Sequence, residues 1–379
     1  MRTVKWNSFL PCLLALGVMT ASARADVTTE QGASILIFPK LIVEGSSDTV
    51  IQITNISNDL VYARCFYVNA QLTTPGIPEH PILNPPLWLE TDFNIRLTRQ
   101  QPTHWLVSIG RPVDPFDECG GEPSCFGPID LNGLGIDPGA VPPVVEDFIG
   151  ELKCVEVDAS GTPIGGNHLK GEATIVSGQE ENFEVSKYNA IGILGTDLAG
   201  ATGNDLLLNN PSGESSGEYD ACPAELILNH FAEGEDSELH PDLLPGGFVS
   251  TELTLVPCQQ DFENQTPGTV TVQFKIYNEF EVPFSTSTSV TCWKNIRLED
   301  IGNTNVFDVA VLGSSVAQTF IRPADGTDGG VVAVAEEFHA DDETPEDTSR
   351  AAFNVHSRGD RLNSPDGFTF DHIVLPGVE

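Results

Sequence analysis

The chain has 379 residues, with 55 Asp and Glu against 18 Lys and Arg, giving a net charge of −37 at neutral pH. Such a surface repels phosphate backbones and anionic headgroups, so neither nucleic acid nor an anionic membrane face is an expected partner. A hydrophobic content of 40% argues against a disordered chain, and the length exceeds one ordinary core, so two domains are expected.

The first 25 residues read as a signal peptide. Arg2 and Lys5 precede an apolar run from Phe9 to Met19, and Ala23-Arg24-Ala25 has the small-x-small form that puts cleavage before Asp26. The run is too short to span a bilayer, and no later segment reaches 18 apolar residues, so membrane insertion is not expected. Without the leader the basic residues fall to 15 and the net charge becomes −40. A secreted, periplasmic or cell-surface location follows.

Cys12 leaves with the leader, and seven cysteines remain, an odd number. Cys119 and Cys125 flank a short turn-rich loop and are expected to pair. Cys65–Cys154 and Cys222–Cys258 are the other expected disulfides, which leaves Cys292 over. No C-x-x-C is present, so thioredoxin and zinc-ribbon readings fall away.

Strand periodicity dominates the rest. Val270, Val272, Phe274 and Ile276 alternate with Thr271, Gln273, Lys275 and Tyr277, as in a strand with one apolar face. Similar segments fall at 35–38, 49–54, 60–68, 105–108, 151–157, 252–256, 285–293, 331–335 and 352–356. Turn residues separate them. Residues 223–233 are the best short helix candidate, through Ala224, Ile227, Leu228 and Phe231, and read nearly as well as a strand.

An internal echo organises these strands. Ile35–Pro39, Thr49–Asn55 and Arg64-Cys65-Phe66 return in the same order as Leu253–Pro257, Thr271–Asn278 and Thr291-Cys292-Trp293. Two copies of one β module are expected. The fold expected is all-β: two tandem antiparallel β-sandwich domains of the immunoglobulin-like kind, with long loops and little helix. Residues 26–176 and 248–379 would form the sandwiches, with 177–247 a Gly/Asn/Asp-rich connecting segment carrying a few strands.

Chemistry-bearing motifs are weak. Gly213-Glu214-Ser215-Ser216-Gly217 fits the G-x-S-x-G string, but its polar surroundings lack the strand-to-helix elbow that exposes a nucleophile. The eight histidines are scattered singly, and for His168 and His356 a structural hydrogen bond is expected rather than metal ligation. Asp325, Asp328, Asp341 and Asp342 sit in acidic loops with the carboxylates that calcium takes, and are the candidate metal ligands. No other cofactor is implied. Trp88 follows a Pro-Pro-Leu turn and is expected to be partly exposed. Sequons begin at Asn55 and Asn264. The functional expectation is a non-catalytic exported protein with a binding, adhesion or structural role, its partner a protein or glycan at the cell exterior. The alternative is a secreted carbohydrate-active or other hydrolytic protein using loop carboxylates.

Overall fold

A computed structural model of the chain describes residues 27–74, 84–111, 138–179, 182–211, 214–234, 247–302, 304–324, 329–341, 349–361 and 371–377. The signal-peptide segment and the Cys119/Cys125 loop lie outside the described residues.

Strands account for 61% of the described residues, with almost no helix among them. The first seven are β1 (Ile35–Val43), β2 (Asp48–Asn55), β3 (Val61–Asn69), β4 (Leu89–Leu97), β5 (Pro102–Leu106), β6 (Phe148–Val157) and β7 (Leu169–Gln179). The middle of the chain adds β8 (Asn182–Asn189), β9 (Ile191–Ile193), β10 (Asp205–Asn210), β11 (Tyr219–Asp220) and β12 (Pro223–Phe231). Then come β13 (Gly247–Pro257), β14 (Gln260–Asp261), β15 (Thr269–Asn278), β16 (Pro283–Thr291) and β17 (Lys294–Arg297). The last five are β18 (Val316–Pro323), β19 (Val331–Asp341), β20 (Ser349–Asn354), β21 (His356–Asp360) and β22 (His372–Val374).

These strands make five small sheets, with orders β4-β3-β6-β1-β9, β5-β2-β7-β8, β17-β13-β19-β20, β16-β15-β18-β12-β21 and β11-β10-β22-β14. They are arranged as a ring resembling a four-bladed β-propeller, which overturns the expectation of two tandem immunoglobulin-like sandwiches. The physical reason is that the halves do not close separately. One apolar core holds Ile35, Phe38 and Phe66 together with Val256, Cys258, Phe262, Val332 and Leu375. Phe66 stacks on Phe262 with ring centroids 4.3 Å apart. Strands from the middle of the chain enter four of the five sheets, and β22, from the end of the chain, sits between β10 and β14.

The helix candidate is a strand. In β12, Leu226 and Leu228 face the core while Glu225, Ile227 and Asn229 face the other way, because β18 and β21 pair with it on both sides. Local pattern yields here to pairing. Pro223, at the first position of β12, costs the ladder little.

The echo in the sequence corresponds to matched registers. Ile35, Leu36, Ile37 and Phe38 pair with Val155, Cys154, Lys153 and Leu152, just as Leu253, Thr254, Leu255 and Val256 pair with Ala335, Val334, Ala333 and Val332. Likewise Ile51 and Ile53 pair with Trp105 and Thr103, and Phe274 and Ile276 with Ile321 and Thr319. Both repeats end in a buried Asn whose Oδ1 accepts a backbone N–H two residues on, Ser57 for Asn55 and Phe280 for Asn278. The arms differ. Cys65 lies inside β3, between β4 and β6, whereas Cys292 lies between β16 and β17 at a positive φ of 59°.

A buried polar seam joins the halves. Lys40 of β1 is almost wholly buried, and its Nζ donates to Glu252 at 2.9 Å and Glu336 at 2.7 Å, from β13 and β19. Ser186 of β8 also donates to Glu336, and Trp293 Nε1 donates to the Pro39 carbonyl at 2.7 Å. Burial works to raise the Glu252 carboxyl, but Lys40, Asn295 and Arg297 outweigh it and hold it below the usual carboxylate range. Beside the seam, Asn354 of β20 exchanges two hydrogen bonds with the backbone of Asn189 in β8.

Candidate functional site

The expected disulfides within the described residues come together. Cys65 and Cys154 face each other across β3 and β6 with their sulfurs bonded, as do those of Cys222 and Cys258. Gly330 packs against the second bridge, where a Cβ would lie 2.3 Å from Cys222 Sγ. Cys292 is a buried free thiol, and burial pushes its pKa up. Such bridges belong to an oxidising environment.

The candidate calcium ligands are not brought into view. Asp325, Asp328 and Asp342 lie outside the described residues, and Asp341 is the last residue of β19. Among the described residues no group of three or more His, Cys, Asp or Glu is placed to hold a metal ion. Residues 214–217 of the G-x-S-x-G string lie between β10 and β11 with no helix after them, so no nucleophile elbow forms. His168 Nδ1 lies 2.8 Å from the buried Glu156 carboxylate, a structural contact, whereas His356 is exposed at the start of β21. Trp88 is half-buried against the core, Trp105 is buried and donates to Tyr67, and Trp293 serves the seam. The Asn55 sequon is sealed, its Nδ2 donating to the carbonyls of Asp59, Leu97 and Thr98, while Asn264 is exposed.

The surface with the most binding chemistry is the outer face of the β16-β15-β18-β12-β21 sheet. Strand alternation directs Val272, Phe274 and Ile276 into the core and leaves Gln273, Lys275 and Tyr277 outside. The β15·β18 register places Phe320 opposite Lys275 and Arg322 opposite Gln273. On the other side of β18, Phe320 pairs with Ile227, and Glu225 of β12 pairs with Arg358 of β21. Eight side chains spread over more than a hundred residues of sequence thus share one surface.

Their geometry is fixed by mutual contacts. Tyr277 and Phe320 meet edge to face, with centroids 5.9 Å apart and ring planes at 88°. Lys275 Nζ stands 5.0 Å from the Tyr277 centroid, and the Arg358 guanidinium 5.4 Å from that of Phe320. Glu225 takes one guanidinium on each oxygen, Arg322 at 2.7 Å and Arg358 on the other. The carboxylate is mostly covered, while the two guanidinium side chains remain 49% and 58% exposed. A hollow of about 630 Å³ opens beside this cluster, bordered by Gln273, Lys275, Ser285, Ser287 and Arg322.

No known family and no curated protein matches the chain. Among solved structures, one described as "Crystal Structure of Thermotoga maritima 1070" matches over 42% of this chain and 93% of its own. It is 8% identical with a TM-score of 0.23, a likeness too slight to carry an argument about fold or function.

Sequence reasoning identified Gln273, Lys275 and Tyr277 as the polar side of a strand but assigned them no role. Their alternation was the available signal. The register that adds Phe320, Arg322, Arg358 and Glu225 is a tertiary property.

Proposed function

We propose that this is an exported, non-catalytic binding protein that engages a glycan or protein partner at the cell surface or in the extracellular or periplasmic space. Its contact surface is the outer face of the β16-β15-β18-β12-β21 sheet. The observation that carries this reading is the pairing of two partly exposed aromatic rings with three exposed cations. Exposed aromatic and Arg side chains on a rigid sheet are what binding hot spots are made of. Fixed strands present them with little conformational freedom left to lose. The leader ending at Ala25 and the two disulfides support export.

The test is binding of the purified protein to arrayed glycans and to intact cells, beside the Tyr277→Ala/Phe320→Ala double variant. Binding that falls at least about tenfold in the variant, with unchanged thermal unfolding, supports the reading. Equal binding by both proteins contradicts it. N-terminal sequencing of the exported protein is expected to begin at Asp26.

A further inference from the structure

We propose that the ligand of this face is an anionic polysaccharide, whose sugars carry carboxylate or sulfate groups; this deepens the binding reading above and rests on it. The argument begins with charge. The chain carries a net −37, yet the face gathers three cations, Arg322 and Arg358 sharing the Glu225 carboxylate and Lys275 standing over Tyr277. Local charge thus opposes global charge. Elsewhere in the fold, three cations are committed to carboxylates inside it: Lys40 and Lys153 are buried in their ion pairs, and Arg361 is buried against Asp371.

The geometry suits sugar acids. Glu225 fixes both guanidinium groups but occupies only part of their donor sets, since an Arg fork carries five N–H donors. The remaining donors match the two oxygens of a uronate or the oxygens of a sulfate ester. Ser285 and Ser287 line the adjoining hollow with hydroxyls for sugar hydroxyls, and the Tyr277 and Phe320 rings offer apolar surfaces for sugar C–H faces.

The opposed charges give this ligand a distinctive salt dependence. At about 0.01 M salt the Debye length is roughly 30 Å, and a polyanion feels the whole acidic molecule. At about 0.15 M it is roughly 8 Å, so the remote carboxylates are screened while the contact cations are not. Near 1 M even close pairs weaken. Affinity for an anionic polysaccharide is therefore highest at intermediate ionic strength.

The experiment is titration calorimetry of the full protein with polygalacturonate, dextran sulfate, uncharged dextran and poly-glutamate, each in 0.01, 0.15 and 1 M NaCl. The expected result is binding of one or both anionic polysaccharides, strongest at the middle salt. Lys275→Ala/Arg322→Ala should weaken it by about tenfold or more, and Gln273→Glu, an exposed near-isosteric change, should weaken it too. Thermal unfolding of each variant separates lost binding from lost folding. Salt-independent binding of dextran that Tyr277→Ala abolishes overturns the anionic ligand but leaves the face as the binding site. Equal binding of poly-glutamate overturns the sugar specificity. Binding of none of the four polymers overturns the anionic polysaccharide and leaves the face to the glycan-array and cell-binding test, whereas binding untouched by any of these substitutions overturns both readings.

Discussion

The two matched repeats are alike inside and unlike outside. Ile51 and Ile53 correspond in register to Phe274 and Ile276, and Thr103 to Thr319, all of them buried. Outside, Gln52 and Thr54 correspond to Lys275 and Tyr277, while His104 and Leu106 correspond to Phe320 and Arg322. On the first face Lys187 is matched by Glu172 at 2.8 Å. Core positions answer to packing in both sheets, whereas outward positions are less constrained, and among the described residues only the second face carries paired aromatics and exposed guanidinium groups. The innermost sheets diverge as well. Cys154 and Lys153 of β6 stand where β19 has Val334 and Ala333. Glu156 and Glu336 occupy corresponding places, yet one serves His168 within its own half and the other serves Lys40 across the seam.

The largest expected effect comes from breaking what is particular to the first half. The Cys65→Ala/Cys154→Ala variant loses a bridge that closes 89 residues and is expected to lose about 4 kcal/mol in denaturant unfolding. Next is the seam. Lys40→Met leaves Glu336 buried with its lysine partner gone and is expected to cost about 3 kcal/mol, with a single cooperative transition retained because the core runs across both halves. Two separate transitions in the wild-type protein would show that the halves fold independently.

A smaller effect concerns pH. Glu233, which meets β13 of the second half, is fully buried, and its carboxyl is pushed up to about 8, chiefly by burial, with a hydrogen bond from the Thr251 backbone N–H acting against it. The folded state therefore holds a proton that the unfolded chain releases near pH 4.5. Stability from this group is full below that value and is lost as pH rises toward 8. Glu233→Gln is expected to match wild type near pH 4 and to exceed it by about 2 kcal/mol near pH 8, read from urea midpoints at each pH. An unchanged pH dependence would contradict this assignment. The smallest stability effects belong to the outer faces. His104→Ala and Arg322→Ala are each expected to shift stability by under about 1 kcal/mol, with only the latter reducing ligand binding.

Much of the strand inventory was legible because half-buried strands write their burial as alternation, as in β15. The strand β18 was not legible, since the inward positions of Val316–Pro323 include Thr319, and a buried hydroxyl breaks the apolar period. The seam was hidden for a related reason. Lys40 and Glu336 are residue types that belong on a surface, and only their mutual pairing makes burial tolerable. The ring arrangement was hidden because it depends on which sheet edge meets which, and strand periodicity carries no information about that. The candidate site shares this character: the outward residues of β15 were readable, and their assembly with those of β18, β12 and β21 was not.

Hydrogen–deuterium exchange of the protein with and without polygalacturonate at 0.15 M NaCl tests the central asymmetry most directly. The backbone of β15, β16 and β18 is expected to gain protection, while that of β2, β5 and β7 is unchanged. Protection confined to β2, β5 and β7, or spread equally over both faces, would contradict the claim that the second face alone has become a binding surface.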